Sequence, residues 1–293
     1  MSRRAVVYYQ AFRLGMLVVG VLPMRLAQTL GRIGGALFYL GAKGRRRMAR
    51  RHAARLHAAR PGWQAFRMFL AYGRYWAETL WIRPHRIPLL RSRLQVEGIE
   101  WVRKAKQDGR GLICAVPHLG NWEVAGPVAS EEGIRLVAVA ERLPNRLITD
   151  WFVELRNRLG IEVVLTGGGS VIRTLEAALR ENGAVALLCD RDLKGRGIRV
   201  EFFGEETTLP AGPASLAYRT GAPILPVAVY FTPDGGHRVV IEPPLELPSG
   251  GRDEFVKETT QRIAHALERL IRTAPEQWHL VQPNWPSDRE TAR

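Results

Sequence analysis

The sequence predicts an α/β protein with a central mixed sheet flanked by helices, preceded by N-terminal amphipathic helices at a membrane surface. Three observations predict it. From about Leu94 onward, short β-branched or apolar runs alternate with stretches of helical periodicity. Before that point the apolar residues recur at helical spacing alone, among many arginines. The residues that follow the apolar runs are polar and charged, as at the strand ends of an open sheet, where ligands bind. A length of 293 residues suffices for a sizeable core.

Residues 1–42 are rich in Leu, Val, Ala and aromatics, but Arg13, Arg25 and Arg32 interrupt them before the roughly 18 uncharged residues of a spanning helix accumulate. The apolar stretch 14–24 has no convincing cleavage pattern after it. A pair of amphipathic helices fits better, with Ala5, Val6, Tyr9, Phe12 and Met16 at helical spacing. In 43–60, Lys43, Arg45, Arg46, Arg47, Arg50, Arg51, Arg55 and Arg60 occur with no acidic residue, a composition drawn to anionic lipid headgroups. A solvated basic face and a nucleic-acid patch are the alternatives. The apolar, aromatic neighbours favour the membrane, so nucleic acid is not expected as a partner. Trp63, Phe66, Phe69, Tyr72, Tyr75, Trp76 and Trp81 then make a wide stripe, read mainly as core. The expected organisation is a helical, basic membrane-interface region 1–92, an α/β core 93–285 and a polar tail 286–293.

Within the core, strands are expected over 111–116, 135–140, 162–165, 184–189, 199–203, 223–231 and 238–241, and helices over 121–131, 145–159, 171–180, 213–220 and 252–274. The net charge of +15 points to an anionic partner. Cys114 and Cys189 lie in apolar runs and read as reduced core thiols, which suits a cytoplasmic compartment. With scattered histidines and no CxxC or HExxH, no metal is expected.

The string His118-Leu119-Gly120-Asn121-Trp122-Glu123 follows the first of these strands. A histidine there can take a proton from an alcohol near neutral pH while a carboxylate fixes its tautomer, the chemistry of acyl transfer to oxygen. A hydrogen-bonded loop histidine and a helix-starting Glu123 are the plainer readings. Glu141 and Arg142 follow the second strand, and Asp190, Arg191 and Asp192 the fourth. Converging at one sheet edge, these residues make an acid/base site beside an anion site.

Six strings occur in order: the His118 string, Ala140-Glu141-Arg142-Leu143, Cys189-Asp190-Arg191-Asp192, Phe202-Phe203-Gly204, Pro210-Ala211-Gly212-Pro213-Ala214, and Trp278-His279-Leu280-Val281-Gln282-Pro283-Asn284-Trp285. Over about 98–285 they resemble the bacterial lipid acyltransferases that include the lipid A late acyltransferases, and most of all the phosphatidylinositol mannoside acyltransferases. The resemblance implies a glycerolipid acyltransferase-like fold and a monotopic enzyme on the cytoplasmic face of the membrane. It implies transfer of a fatty acyl group from acyl-CoA, as donor substrate rather than cofactor, to a sugar hydroxyl of a glycolipid acceptor, phosphatidylinositol mannoside. In that reading His118 is the general base and Asp190, where the family usually has Glu, orients it. Glu123 positions the loop or the acceptor.

Direct transfer needs no Ser or Cys nucleophile, in keeping with the lack of a GxSxG elbow. Backbone N–H groups around Gly120 and Asn121 are candidate oxyanion donors, and Asn121 is a candidate substrate contact. Arg142, Arg156 and Arg191 are candidate ligands for phosphate on either substrate, with Glu141 beside them. The stretch 166–170 reads as a turn first and a coenzyme A contact second. Residues 210–213 read as a channel wall or a plain helix start. The segment 278–285 reads as packing that closes the domain, or a lid. A lipid A precursor acceptor, a thioester hydrolase on the same scaffold and a basic binding protein are the competing readings.

Overall fold

A computed structural model describes residues 3–167, 171–192 and 195–290. In chain order the elements are α1 (Arg3–Val21), α2 (Met24–Gly41), α3 (Lys43–Arg55), α4 (Pro61–Trp81), α5 (Ile87–Arg91), β1 (Leu94–Glu97), α6 (Ile99–Gln107), β2 (Leu112–Val116), α7 (Ala125–Glu131), β3 (Leu136–Ala140), α8 (Arg146–Arg158), β4 (Ile161–Leu165), α9 (Val171–Arg180), β5 (Ala184–Leu188), β6 (Ile198–Phe202), β7 (Glu205–Leu209), α10 (Gly212–Thr220), β8 (Ile224–Phe231), β9 (His237–Ile241), α11 (Arg252–Thr273) and α12 (Pro286–Glu290).

Seven strands form one sheet in the order β1-β9-β8-β2-β5-β3-β4. All neighbours are parallel except the β8–β9 pair, which makes the sheet mixed. Alternate residues serve opposite faces. Ile113, Ala115, Val137 and Val185 join the core that includes residues of α9, α10 and α11, whereas Leu112, Val116, Leu136 and Ala184 join the one that includes residues of α6, α7 and α8. Every residue of β8 is buried, as expected of a central strand covered on both sides.

The expected strand over 199–203 is displaced from the main sheet. It forms β6, an antiparallel hairpin with β7 turned by Phe203 and Gly204, both at positive φ. Residues of the N-terminal helices enter the same cores. Ala49 of α3 and Ala65, Met68 and Phe69 of α4 are fully buried. Helix α2 meets α4 through glycines: a Cβ on Gly73 would lie 2.1 Å from the Gly31 carbonyl oxygen, and one on Gly35 equally close to that of Phe69. No helix among the described residues is long and apolar enough to cross a membrane.

The basic run divides between solvent and protein. Lys43, Arg45, Arg47 and Arg50 are exposed. Arg51 and Arg55 instead reach Asp288 of α12, at 3.2 and 2.9 Å, and Asp288 is fully buried.

Candidate active site

Strands β2 and β5 are parallel neighbours with Val116 opposite Leu188. Two residues beyond that pair stand His118 and Asp190, so the register alone sets them side by side. The Nδ1–H of His118 donates to Asp190 Oδ1 at 2.6 Å, and the imidazole keeps 19% of its side-chain surface open to solvent. Asp190 is fully buried, and Trp278 Nε1–H donates to its second oxygen at 2.8 Å. Burial alone would raise the Asp190 carboxyl, but the charge of His118 and the hydrogen bonds from His118 and Trp278 outweigh it and hold the group below its ordinary range. The result is a fixed carboxylate behind a partly open imidazole.

The C-terminal segment locks this loop by its backbone. Leu119 and Trp278 form an antiparallel bridge. His279 N–H donates to the His118 carbonyl at 2.8 Å, and its Nε2–H to the Gly120 carbonyl at 2.7 Å. Gly120 has φ +61°, and a Cβ there would lie 1.8 Å from the Val229 carbonyl oxygen, so only glycine fits. Its N–H is committed to the Gln277 carbonyl at 3.0 Å. The Gly120 N–H is therefore not free to bind an oxyanion, which narrows the expectation of donors around Gly120 and Asn121. The segment 278–285 is more than packing: Asn284 Nδ2 also donates to the Asp190 carbonyl at 3.1 Å.

Among the described residues Glu123 pairs with Arg156 rather than with His118. It is fully buried and takes a two-pronged grip from Arg156, at 2.9 and 2.7 Å, with Tyr75 O–H donating at 3.3 Å. Burial disfavours the Arg156 charge, but Glu123 more than compensates and raises its pKa. Asn121 is also fully buried. Its Oδ1 caps the Glu123 N–H at 3.3 Å and its Nδ2 donates to Glu78 at 3.0 Å. Both ends of that amide are thus occupied within the protein. Glu141 and Arg142 are exposed after β3, and Arg142 Nε donates to the Thr166 carbonyl at 3.2 Å. Arg191 is half-buried beside Asp190. None of these three is hydrogen-bonded through its side chain to the His118–Asp190 pair among the described residues. In the stretch 166–170, residues 168–170 lie outside the described residues.

Glu78 escaped the reading of the sequence. This buried carboxylate collects hydrogen bonds from Gln28 (2.8 Å), Arg74 (2.7 Å), Asn121 (3.0 Å) and His237 (2.8 Å). Burial would raise it, but His237, Arg74 and the bonds together hold it at about 2. It ties α2, α4 and β9 to the turn that carries Glu123.

An apolar cavity of about 110 Å³ lies on the α6 and α7 face of the sheet, with Cys114, Val116, Trp122, Ala138, Ala186 and Leu188 in its wall and Glu123 and Arg156 at its polar margin. The Trp122 ring stands edge-on to His118, 5.4 Å between centroids. Among the described residues no group of three or more His, Cys, Asp or Glu is placed to hold a metal ion.

Residues 1–287 match the family described as bacterial lipid A biosynthesis acyltransferase. A phosphatidylinositol mannoside acyltransferase of Mycolicibacterium smegmatis is 39% identical over 221 residues, 74% of this chain and 71% of that one. One from Mycobacterium tuberculosis is 35% identical over 233 residues, 76% and 70% of the two chains. The lipid A biosynthesis palmitoleoyltransferase of Escherichia coli is 26% identical over 193 residues, 64% and 60%. The chain belongs to the bacterial lipid A biosynthesis acyltransferase family, whose members are enzymes that transfer acyl groups.

Proposed function

We propose that this protein moves a fatty acyl group from acyl-CoA to a sugar hydroxyl of a phosphatidylinositol mannoside, by direct transfer with His118 as the general base. The observation that carries the chemistry is the His118–Asp190 hydrogen bond, with Trp122, edge-on to His118, in the wall of an apolar cavity. With Nδ1 held by Asp190, Nε2 is the nitrogen that removes the hydroxyl proton. The sugar oxygen attacks the thioester carbonyl, the C–S bond breaks, and the imidazolium returns its proton to the departing thiolate. The acyl chain occupies the cavity. The acceptor rests on the names of the relatives.

The membrane-facing part is the N-terminal region 1–92, on the cytoplasmic side where acyl-CoA is found. Leu26, Leu30, Ile33, Leu37 and Leu40 recur at spacings of three and four along α2 and are all exposed, a bare apolar stripe. Leu14, Leu17, Val18 and Val21 of α1 add to it. The exposed Lys43, Arg45, Arg47 and Arg50 of α3 supply charge for anionic headgroups. In Leu30→Asp/Leu37→Asp, sedimentation with anionic vesicles falls sharply while melting holds. Unchanged sedimentation contradicts the membrane reading.

The acceptor is tested with palmitoyl-CoA and three parallel additions: phosphatidylinositol mannoside, a lipid A precursor, or none. Mass spectrometry of the lipids is expected to find one added acyl chain on the first. Acylation of the precursor instead identifies a different glycolipid as the acceptor, and coenzyme A release without acceptor identifies a hydrolase.

A further inference from the structure

Across β2, β5 and β3 the register pairs Cys114 with Ala186, and Ala186 with Ala138. A row of small side chains therefore crosses three adjacent central strands at one level, on one face. The next row toward His118 is large, Val116 opposite Leu188. The next row away from it is Leu112, Ala184 and Leu136. Burial separates the small row from the Leu112–Ala184–Leu136 row. Leu112, Ala184 and Leu136 are 2%, 3% and 6% exposed, whereas Cys114, Ala186 and Ala138 are only half-buried, although they sit mid-strand in the centre of the sheet. Central parallel strands ordinarily present Val, Ile and Leu to the helices on both faces. Three small residues in register leave a space, and all three stand in the cavity wall.

We propose that this arrangement sets the length of the acyl chain the enzyme accepts: the chain passes Val116 and Leu188, lies over the Cys114–Ala186–Ala138 row, and ends against the Leu112–Ala184–Leu136 row. The inference rests on the cavity being the acyl subsite. One row to the next is two strand residues, roughly 7 Å. Filling the middle row thus removes room for several methylenes. A single surplus methylene in a fitted apolar pocket changes kcat/KM roughly 10–200-fold.

The test measures kcat/KM of the full-length enzyme in lipid–detergent micelles over octanoyl-, lauroyl-, palmitoyl- and stearoyl-CoA. It compares wild type, Ala186→Leu and Leu112→Ala, with Ala138→Val as the milder filling variant should Ala186→Leu fail to fold. Filling the middle row is expected to lower the palmitoyl-to-octanoyl ratio at least about tenfold. Leu112→Ala is expected to raise the stearoyl-to-palmitoyl ratio. Shifts in opposite directions separate a length gauge from general destabilisation, which scales the whole series alike. Equal losses at every length overturn the gauge and leave the cavity as the subsite. Unaltered kcat/KM at every length in all variants overturns both, because chains then do not enter this cavity.

Discussion

Replacing Asp190 by asparagine keeps the shape of the side chain and removes one of its two acceptor oxygens. In the protein one oxygen takes the His118 Nδ1–H at 2.6 Å and the other the Trp278 Nε1–H at 2.8 Å. An indole N–H can only donate. The asparagine oxygen therefore turns to Trp278 and its NH₂ to His118. The imidazole must then accept at Nδ1 and carry its proton on Nε2, the nitrogen that takes the hydroxyl proton in the proposed mechanism. The same tautomer error in a serine-protease triad lowers kcat about 10,000-fold. That corresponds to about 5.5 kcal/mol of barrier. Asp190→Asn is expected to lose roughly 1,000- to 10,000-fold in kcat, at saturating acyl-CoA and glycolipid, with a melting temperature near that of wild type. Turnover within about tenfold of wild type, in a variant that melts normally, refutes the tautomer argument.

Glu123→Ala strands the Arg156 guanidinium without its buried partner and is expected to cost about 3–5 kcal/mol in urea unfolding, against a much smaller loss for Glu123→Leu/Arg156→Met. Stability is also expected to fall on acidification in two stages, followed by urea midpoints in half-unit steps of pH. Burial lowers His52 and His279 from 6.5 to about 4, so the unfolded chain takes up their protons first and stability drops as pH falls from 6.5 toward 4. The Glu78 contribution, about 3 kcal/mol for a carboxyl moved from 4.5 to about 2, is present above 4.5 and lost as pH falls toward 2. A flat profile from pH 7 to 5 contradicts the first stage, and an unchanged acid limb in Glu78→Gln contradicts the second. Gly120→Ala, with its Cβ forced to within 1.8 Å of a carbonyl oxygen, is expected to abolish turnover and lower the melting temperature by several degrees. Wild-type turnover in that variant contradicts the fixed loop.

Elements with strong internal pattern were legible in the sequence. The apolar runs that became β2, β3, β5 and β8 lie within a residue or two of expectation, because central strands are apolar on both faces. Strand β7 was not legible: Glu205, Glu206, Thr207 and Thr208 make no apolar run, and the strand pairs with β6 in a hairpin apart from the seven-stranded sheet. Strand β1 is four residues long with alternating partial burial, too short for a period to register. The nearness of His118 and Asp190 was foreshadowed by their places after apolar strands, and the parallel β2–β5 register made it geometry. Glu78 was hidden among the α4 aromatics. A lone acid on a helix looks solvated, and its partners at positions 28, 121 and 237 meet it only after the chain has folded. Trp278 was visible as part of a string, but a tryptophan in sequence does not disclose which carboxylate its indole N–H will find.

The central claim, that His118 activates a glycolipid hydroxyl for direct transfer, is met most directly by measuring coenzyme A released from palmitoyl-CoA against acyl chains gained by phosphatidylinositol mannoside, in wild type and His118→Ala. The account predicts acceptor-dependent release, one chain gained per coenzyme A, no acyl group covalently held by the protein, and loss of at least roughly 1,000-fold in the variant. Release that ignores the acceptor, or that persists in His118→Ala, contradicts it.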